Sequence, residues 1–235
     1  EQINLIKVYE VDLRDPPGMI IPREAIDALL VAFAGNPLLP ATREGKDALY
    51  RRPEAEVLDL MFRLNARDLY GAVKVQDQPR AFELFRDEVQ QTWLINSCAT
   101  DRCHGGAEAG RLRLHNKRPN SDATVYTNFL ILDRFRTSDG RPLIAFNEPA
   151  RSPLLQMGLP REESVVPHPH VPTPVGRGDA WKPVFDSASD DRYQRALEWI
   201  GALYQPRPEY PIDYTPPTGS AGQAADAAVT PQVPR

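Results

Sequence analysis

The two cysteines of this 235-residue chain, Cys98 and Cys103, stand five positions apart, and the second is followed at once by His104. They fall where a strongly striped segment ends. Phe82, Phe85, Val89 and Trp93 recur at spacings of 3, 4 and 4, which predicts a helix over residues 81–97 with one continuous apolar face. Whatever the two thiols and the imidazole bind therefore fixes the end of that helix. Gly105 and Gly106 follow, and glycines there let the backbone turn sharply or pass close to a flat ligand.

Three chemistries suit these residues. In the leading one each thiol adds to a haem vinyl group and His104 ligates the iron from one face. The usual spacing for that is C-x-x-C-H, with the thiols about one helical turn apart. Here it is C-x4-C-H, so two further residues must bulge outward, and Ala99, Thr100, Asp101 and Arg102 are small or polar enough to do so. A local Cys98–Cys103 disulfide needs only a suitable Cα separation and leaves His104 as a surface residue. Zinc would take Cys98, Cys103 and His104 plus a distant fourth ligand, although the chain has no second Cys/His pair of standard spacing.

An electron-transferring haem has a second axial ligand, and the chain has only four histidines. His168 is the first candidate, then His170, then Met157. The stretch Val166-Pro167-His168-Pro169-His170-Val171-Pro172 cannot be helical, because each proline holds its predecessor extended, so both histidines are displayed from a stiff segment. Met157 follows Leu154-Leu155 and suits an apolar core equally well. His115 lies near the motif among polar residues and reads as a solvated loop histidine. A second histidine would give a lower potential than a methionine, whose thioether favours the ferrous state.

The rest of the chain reads as mainly α. Residues 3–13 alternate enough to predict a strand, ended by Asp15-Pro16-Pro17-Gly18. Pro22 opens a helix over 22–34, striped by Ile26, Leu29, Leu30 and Phe33, with Gly35 as its stop. Residues 36–53 read as loop. A helix over 54–66 buries Val57, Leu60, Met61 and Leu64; residues 123–135 suit a strand or a helix, and the helical spacing of Val125, Phe129, Leu132 and Phe135 favours the helix. Ser152-Pro153 starts a short helix with Ser152 as its N-cap. A last helix over 189–204 carries Tyr193, Leu197, Ile200 and Leu203 or Tyr204. The seven prolines of residues 205–235, followed by Gly, Ser, Ala and Gln, predict an extended tail.

The formal charge of −4 gives no basic face for nucleic acid, and no apolar run is long enough to span a bilayer. The chain begins at Glu1 rather than methionine, which reads as a mature or trimmed form. There is no nucleophile motif, P-loop or dinucleotide-binding glycine fingerprint, so the expectation is not an enzyme. A haem peroxidase would require an open distal site, of which the sequence bears no direct sign.

Several short motifs resemble those of mono-haem c-type cytochromes, most nearly the planctomycete-type cytochrome c modules. A helix leads into the Cys-Cys-His core. Gly110-Arg111-Leu112-Arg113-Leu114 resembles the segment that follows it, and Pro149-Ala150-Arg151-Ser152-Pro153-Leu154-Leu155 a later one. Glu198-Trp199-Ile200-Gly201-Ala202-Leu203 resembles the closing helix. The departures are the x4 spacing and His168-Pro169-His170 where such modules commonly have Met-Pro-Pro.

The resemblance covers residues 82–204 and implies a cytochrome c-like helical haem module. Residues 1–81 become an α-rich N-terminal extension of one strand and two helices, and residues 205–235 a Pro-rich tail. It implies one haem c, bound covalently by Cys98 and Cys103 and ligated by His104, and attached after export to the periplasm or an equivalent compartment. The expected role is electron transfer, as a carrier or a subunit of a larger redox assembly with protein redox partners. The alternative is a haem-free accessory subunit with a Cys98–Cys103 disulfide, docked through its N-terminal strand and C-terminal tail.

Overall fold

A computed structural model describes residues 1–107, 109–173 and 178–214. The described chain is mainly helical, and its one sheet is a two-residue antiparallel pair, β1 (Met19–Ile20) with β2 (Lys74–Val75), in which Met19 faces Val75. The chain forms two compact units. Among the described residues, one comprises residues 1–82 and 204–212, the other residues 83–203 with 213 and 214.

The first unit opens with a helix, α1 (Gln2–Tyr9), where alternation predicts a strand. An apolar run of this length carries both periods, and a helix buried on most sides is apolar nearly all round. Ile6, Lys7, Val8 and Tyr9 are all buried at its C-terminal half. Asn4 supplies from the helix what a paired strand would have supplied from its backbone. Its amide Nδ2 donates to Val73 O at 2.6 Å, and its Oδ1 accepts from Val75 N at 2.9 Å. Helices α2 (Arg23–Ala32) and α4 (Glu54–Arg63) follow as expected, with Leu29, Val57, Leu58 and Met61 in the core. The expected loop between them contains a further short helix, α3 (Arg43–Leu49), capped by Thr42, whose side chain accepts from Gly45 N.

The expected tail is corrected at its start. Residues 204–212 return to the first unit, with Tyr210 and Ile212 buried. The residue that holds them is Glu10, at the end of α1, whose carboxylate is fully buried. It accepts from Arg207 Nη1 at 2.7 Å, from Tyr204 N at 2.8 Å and from the Tyr210 hydroxyl. Around it the Tyr9 ring meets Tyr70 and Tyr210 edge-on, at 5.2 and 5.8 Å. The remainder of the expected tail, from residue 215, lies outside the described residues.

The second unit is built on a helix of unusual pitch. A short helix, α5 (Arg80–Leu84), runs straight into a π-helix over Phe85–Cys98. Its buried positions are Phe85, Val89 with Gln90, and Trp93 with Leu94, and Cys98 follows. They match the roughly 4.4 residues per turn of i→i+5 bonding better than an α-helical period. Against it lie α6 (Asp122–Arg134) and α8 (Asp191–Ala202). The Phe85 ring meets Phe129 of α6 at 5.8 Å and Trp199 of α8 at 5.0 Å, while Trp93 packs edge-on to Phe185 at 5.2 Å. The buried stripe of α8 is Tyr193, Ala196, Trp199 and Ile200; Leu197 lies at its margin. At α7 (Pro153–Gln156), Ser152 occupies the N-cap position, but its hydroxyl accepts from Ala145 N and so ties the preceding loop to the helix.

Glu10→Ala removes the carboxylate shared by Arg207, Tyr204 N and the Tyr210 hydroxyl, and so frees the returning segment. We expect a loss of about 3–5 kcal/mol in the first unit's stability, and a clearly smaller one for Glu10→Gln, which keeps an acceptor for Tyr204 N. Denaturant titration followed by circular dichroism measures both.

Candidate functional site

The π-helix ends at Cys98, and the chain at once folds back under it. Cys98 O accepts from His104 N at 2.8 Å, and Thr100 O accepts from Cys103 N at 2.9 Å and Gly105 N at 3.0 Å. This closes the longer inter-cysteine loop into a compact turn. Asp101 and Arg102 are its exposed outward residues, whereas Ala99 is buried. Asp101 Oδ1 accepts a hydrogen bond from Asn116 Nδ2 at 2.7 Å. The two glycines meet a steric demand of this turn. A Cβ on Gly105 would lie 2.0 Å from Ala99 O, and one on Gly106 would lie 1.8 Å from Asp101 O.

Cys98 and Cys103 are free thiols, the first half-buried and the second exposed. Burial, with Cys103 beside it, pushes the Cys98 thiol up to about 12, so it stays protonated at neutral pH. The His104 ring is half-buried, and its Nδ1 lies 3.0 Å from Leu112 O. Leu114 N donates to His104 O at 2.7 Å, so residues 112–114 bracket the histidine on both its ring and its backbone.

That bracket is anchored in turn by buried amides. Asn128 of α6 reads the backbone of His115 in both directions, accepting from His115 N at 2.8 Å and donating to His115 O at 2.9 Å. Its Nδ2 also reaches Gln90 Oε1 at 3.2 Å, and Gln90 Nε2 donates to Pro119 O at 2.6 Å. Both amide side chains are fully buried. The sequence reading passes over them, although an amide in the middle of an apolar helical stripe was the available signal. His115 is exposed and serves through its backbone.

Of the candidates for a second ligand, the structure brings His168 to His104. Their ring centroids are 6.0 Å apart and their planes inclined by 59°. His168 is half-buried, with Nδ1 lying 2.8 Å from Pro169 O. Burial is the main cause that lowers its pKa, and His104 nearby adds to it. His170 is exposed and Met157 is half-buried after α7, and neither has a described contact with His104.

In both His104 and His168, then, Nδ1 is engaged by a backbone carbonyl, the arrangement that fixes a ligating imidazole and presents Nε2. A metal–nitrogen bond of about 2.0–2.1 Å puts each ring centroid some 3 Å from the metal, so two rings on opposite sides of one ion span roughly 6 Å. The observed 6.0 Å fits that requirement. The residues present therefore suit a group that brings its own equatorial ligands. Among the described residues no cluster of three or more His, Cys, Asp or Glu side chains is placed to hold a metal ion unaided, which leaves the zinc alternative without its ligand set.

The segment carrying His168 is itself fastened. Arg161 donates to His168 O, to Pro169 O at 3.1 Å and to the Asp179 carboxylate. Asp179 Oδ1 accepts from Val171 N and Trp181 N, both at 3.0 Å. Burial opposes ionisation of this carboxyl, but these donors together hold it down to about 2. Trp181 stacks on the His168 ring at 5.4 Å and 11°, with the Arg161 guanidinium 4.7 Å from the indole centre. None of Arg161, Asp179 or Trp181 is marked by a local sequence pattern; they meet only in the fold.

No known protein family, characterised protein or solved structure matches the chain.

Gly106→Ala drives a methyl group into a backbone carbonyl and should cost the second unit about 1–3 kcal/mol. Gly201→Ala, in α8 with nothing within 4 Å of the added carbon, should instead stabilise by roughly 0.5–1 kcal/mol. Thermal unfolding of the two variants side by side checks the opposite signs.

Proposed function

We propose that this protein transfers electrons through one covalently bound haem c, with Cys98 and Cys103 as thioether sites and His104 and His168 as axial ligands. The observation that carries the reading is the pair of imidazole rings with centroids 6.0 Å apart, each with Nδ1 against a backbone carbonyl. Both ligand positions come from one compact unit, so no partner chain is needed to complete the pair.

Each residue has a defined task. Cys98 and Cys103 would hold the haem by thioether bonds, each S–H adding across one vinyl double bond, sulfur to one carbon and hydrogen to the other, with no net oxidation. A protonated Cys98 is the form such an addition consumes. His104, bracketed by Leu112 and Leu114, would ligate the iron through Nε2 from one side, and His168 would do so from the other. The haem supplies the one-electron couple when bound. The packing of Trp93 on Phe185 and of Phe85 on Phe129 and Trp199 supports the helix that carries Cys98.

The cytochrome c-like identity of residues 82–204 belongs to the same proposal. So do its redox partners, its place in a larger redox assembly and its attachment to haem after export. Among the described residues no helix is long and apolar enough to cross a membrane.

Intact mass and visible spectroscopy on protein from its native host test the reading. We expect the mass of one haem to survive denaturation, with a Soret band that shifts on reduction. His168→Ala should convert a six-coordinate low-spin spectrum to one that binds carbon monoxide readily when reduced, while His170→Ala and Met157→Ala leave it unchanged. A mass of the bare chain less two hydrogens, with no Soret band, would replace the proposal with the disulfide-bonded accessory subunit.

A further inference from the structure

We propose that Trp181 and Arg161 are the positioning residues of the distal ligand, the indole fixing the rotation of the His168 ring and the guanidinium locking the segment that carries it. The proposal rests on the haem reading above. It concerns what holds His168 in place, a role that the motif and the prolines do not fill.

The flanking prolines fix the backbone of His168 as extended but leave its side-chain torsions open. The contact of Nδ1 with Pro169 O, at 2.8 Å, restrains the ring locally and comes from the adjoining residue, so it would travel with the histidine if the segment moved. Trp181 is different. It lies thirteen residues further on, half-buried, and its plane is within 11° of the imidazole plane at 5.4 Å. A flat wall in that position admits one range of ring orientation and blocks the rotamers that would swing Nε2 away from His104.

What keeps the wall against the ring is a narrow hairpin. Pro172 and Asp179 form a bridge, Ala180 N donates to Val171 O at 2.7 Å, and Thr173 N donates to Gly178 O at 3.3 Å. Asp179 Oδ1 accepts from a backbone donor on each arm, Val171 N and Trp181 N. Arg161 then closes the base. One guanidinium binds the carbonyls of His168 and Pro169 on the outgoing arm and the Asp179 carboxylate on the returning arm, and lies 4.7 Å from the Trp181 centroid. Planarity and several fixed donors let arginine make these contacts at once; a lysine ammonium cannot reproduce them.

The test compares Trp181→Leu, Trp181→Phe, Arg161→Gln and Arg161→Lys in the haem-loaded full chain. Covalent loading is read by mass. The relative orientation of the two axial rings is read from the low-spin electron paramagnetic resonance g-values. The ease of displacing His168 is read from carbon monoxide binding to the reduced protein. Trp181→Leu and Arg161→Gln should shift the g-values and bind carbon monoxide at least tenfold faster, with loading and the absorption spectrum of the oxidised form retained. Trp181→Phe should stay near wild type because it keeps a flat wall, and Arg161→Lys should fall with Arg161→Gln. Should Trp181→Leu not load haem, the two Arg161 variants carry the same measurement. Loaded variants with wild-type g-values and carbon monoxide kinetics would overturn this proposal alone. A wild-type chain without covalent haem would overturn both it and the reading beneath it, and the mass separates the two cases.

Discussion

The pitch of the helix that ends at Cys98 is the constraint on which the second unit depends. Between Phe85 and Cys98 the chain uses i→i+5 bonding, a form normally confined to single turns. In an α-helix, at about 100° per residue, Phe85, Val89 and Trp93 would still share a face, but Gln90, Leu94 and Cys98 would be turned away from it. The wider winding keeps Phe85, Val89, Trp93 and Cys98 near one line, so the aromatic cluster and the first thiol belong to the same face. It also brings Gln90 inside, where an α-helical count would not place it, and Gln90 is one end of the amide chain that reaches Asn128 and the backbone of His115. Site and core are thus positioned by the same winding.

How much of this was legible depends on how local the cause is. The Cys98–His104 stretch, the proline-held display of His168 and the helices over α2, α4, α6 and α8 rest on residues close together in the chain, and local chemistry names them. The turn between the cysteines was also readable in kind: Asp101 and Arg102 do point outward. The failures lie where an apolar run fits two periods. Residues 3–13 alternate well enough for a strand, but β2 is satisfied by the Asn4 side chain, and α1 is then free to bury a continuous apolar surface. In α8 the core takes Ala196 and Trp199 where spacing alone selects Leu197, because the ring of Trp199 reaches Phe85.

The return of residues 204–212 was illegible for a further reason. Their composition reads as a tail, and the residue that recruits them, Glu10, lies nearly the whole chain away. A single acidic residue in an apolar helix looks like a solvent-facing position until its partner is known. Its burial is tolerable only because Arg207, Tyr210 and the backbone of Tyr204 together supply the donors that water would have supplied.

The two histidines are held by unlike means, and that asymmetry bears on how the site behaves. His104 sits between its own preceding turn and residues 112–114, and its restraints run through backbone bonds and fully buried amides into the core of the unit. Loosening it requires opening that core. His168 is held from the outside, by a half-exposed indole and by a guanidinium and carboxylate that water and salt can reach. Its restraints can yield without disturbing Phe85, Trp93 or Trp199. Any exchange between a closed and an open form of the pair therefore takes place on the His168 side, while the cysteine-bearing turn and His104 stay fixed as its reference.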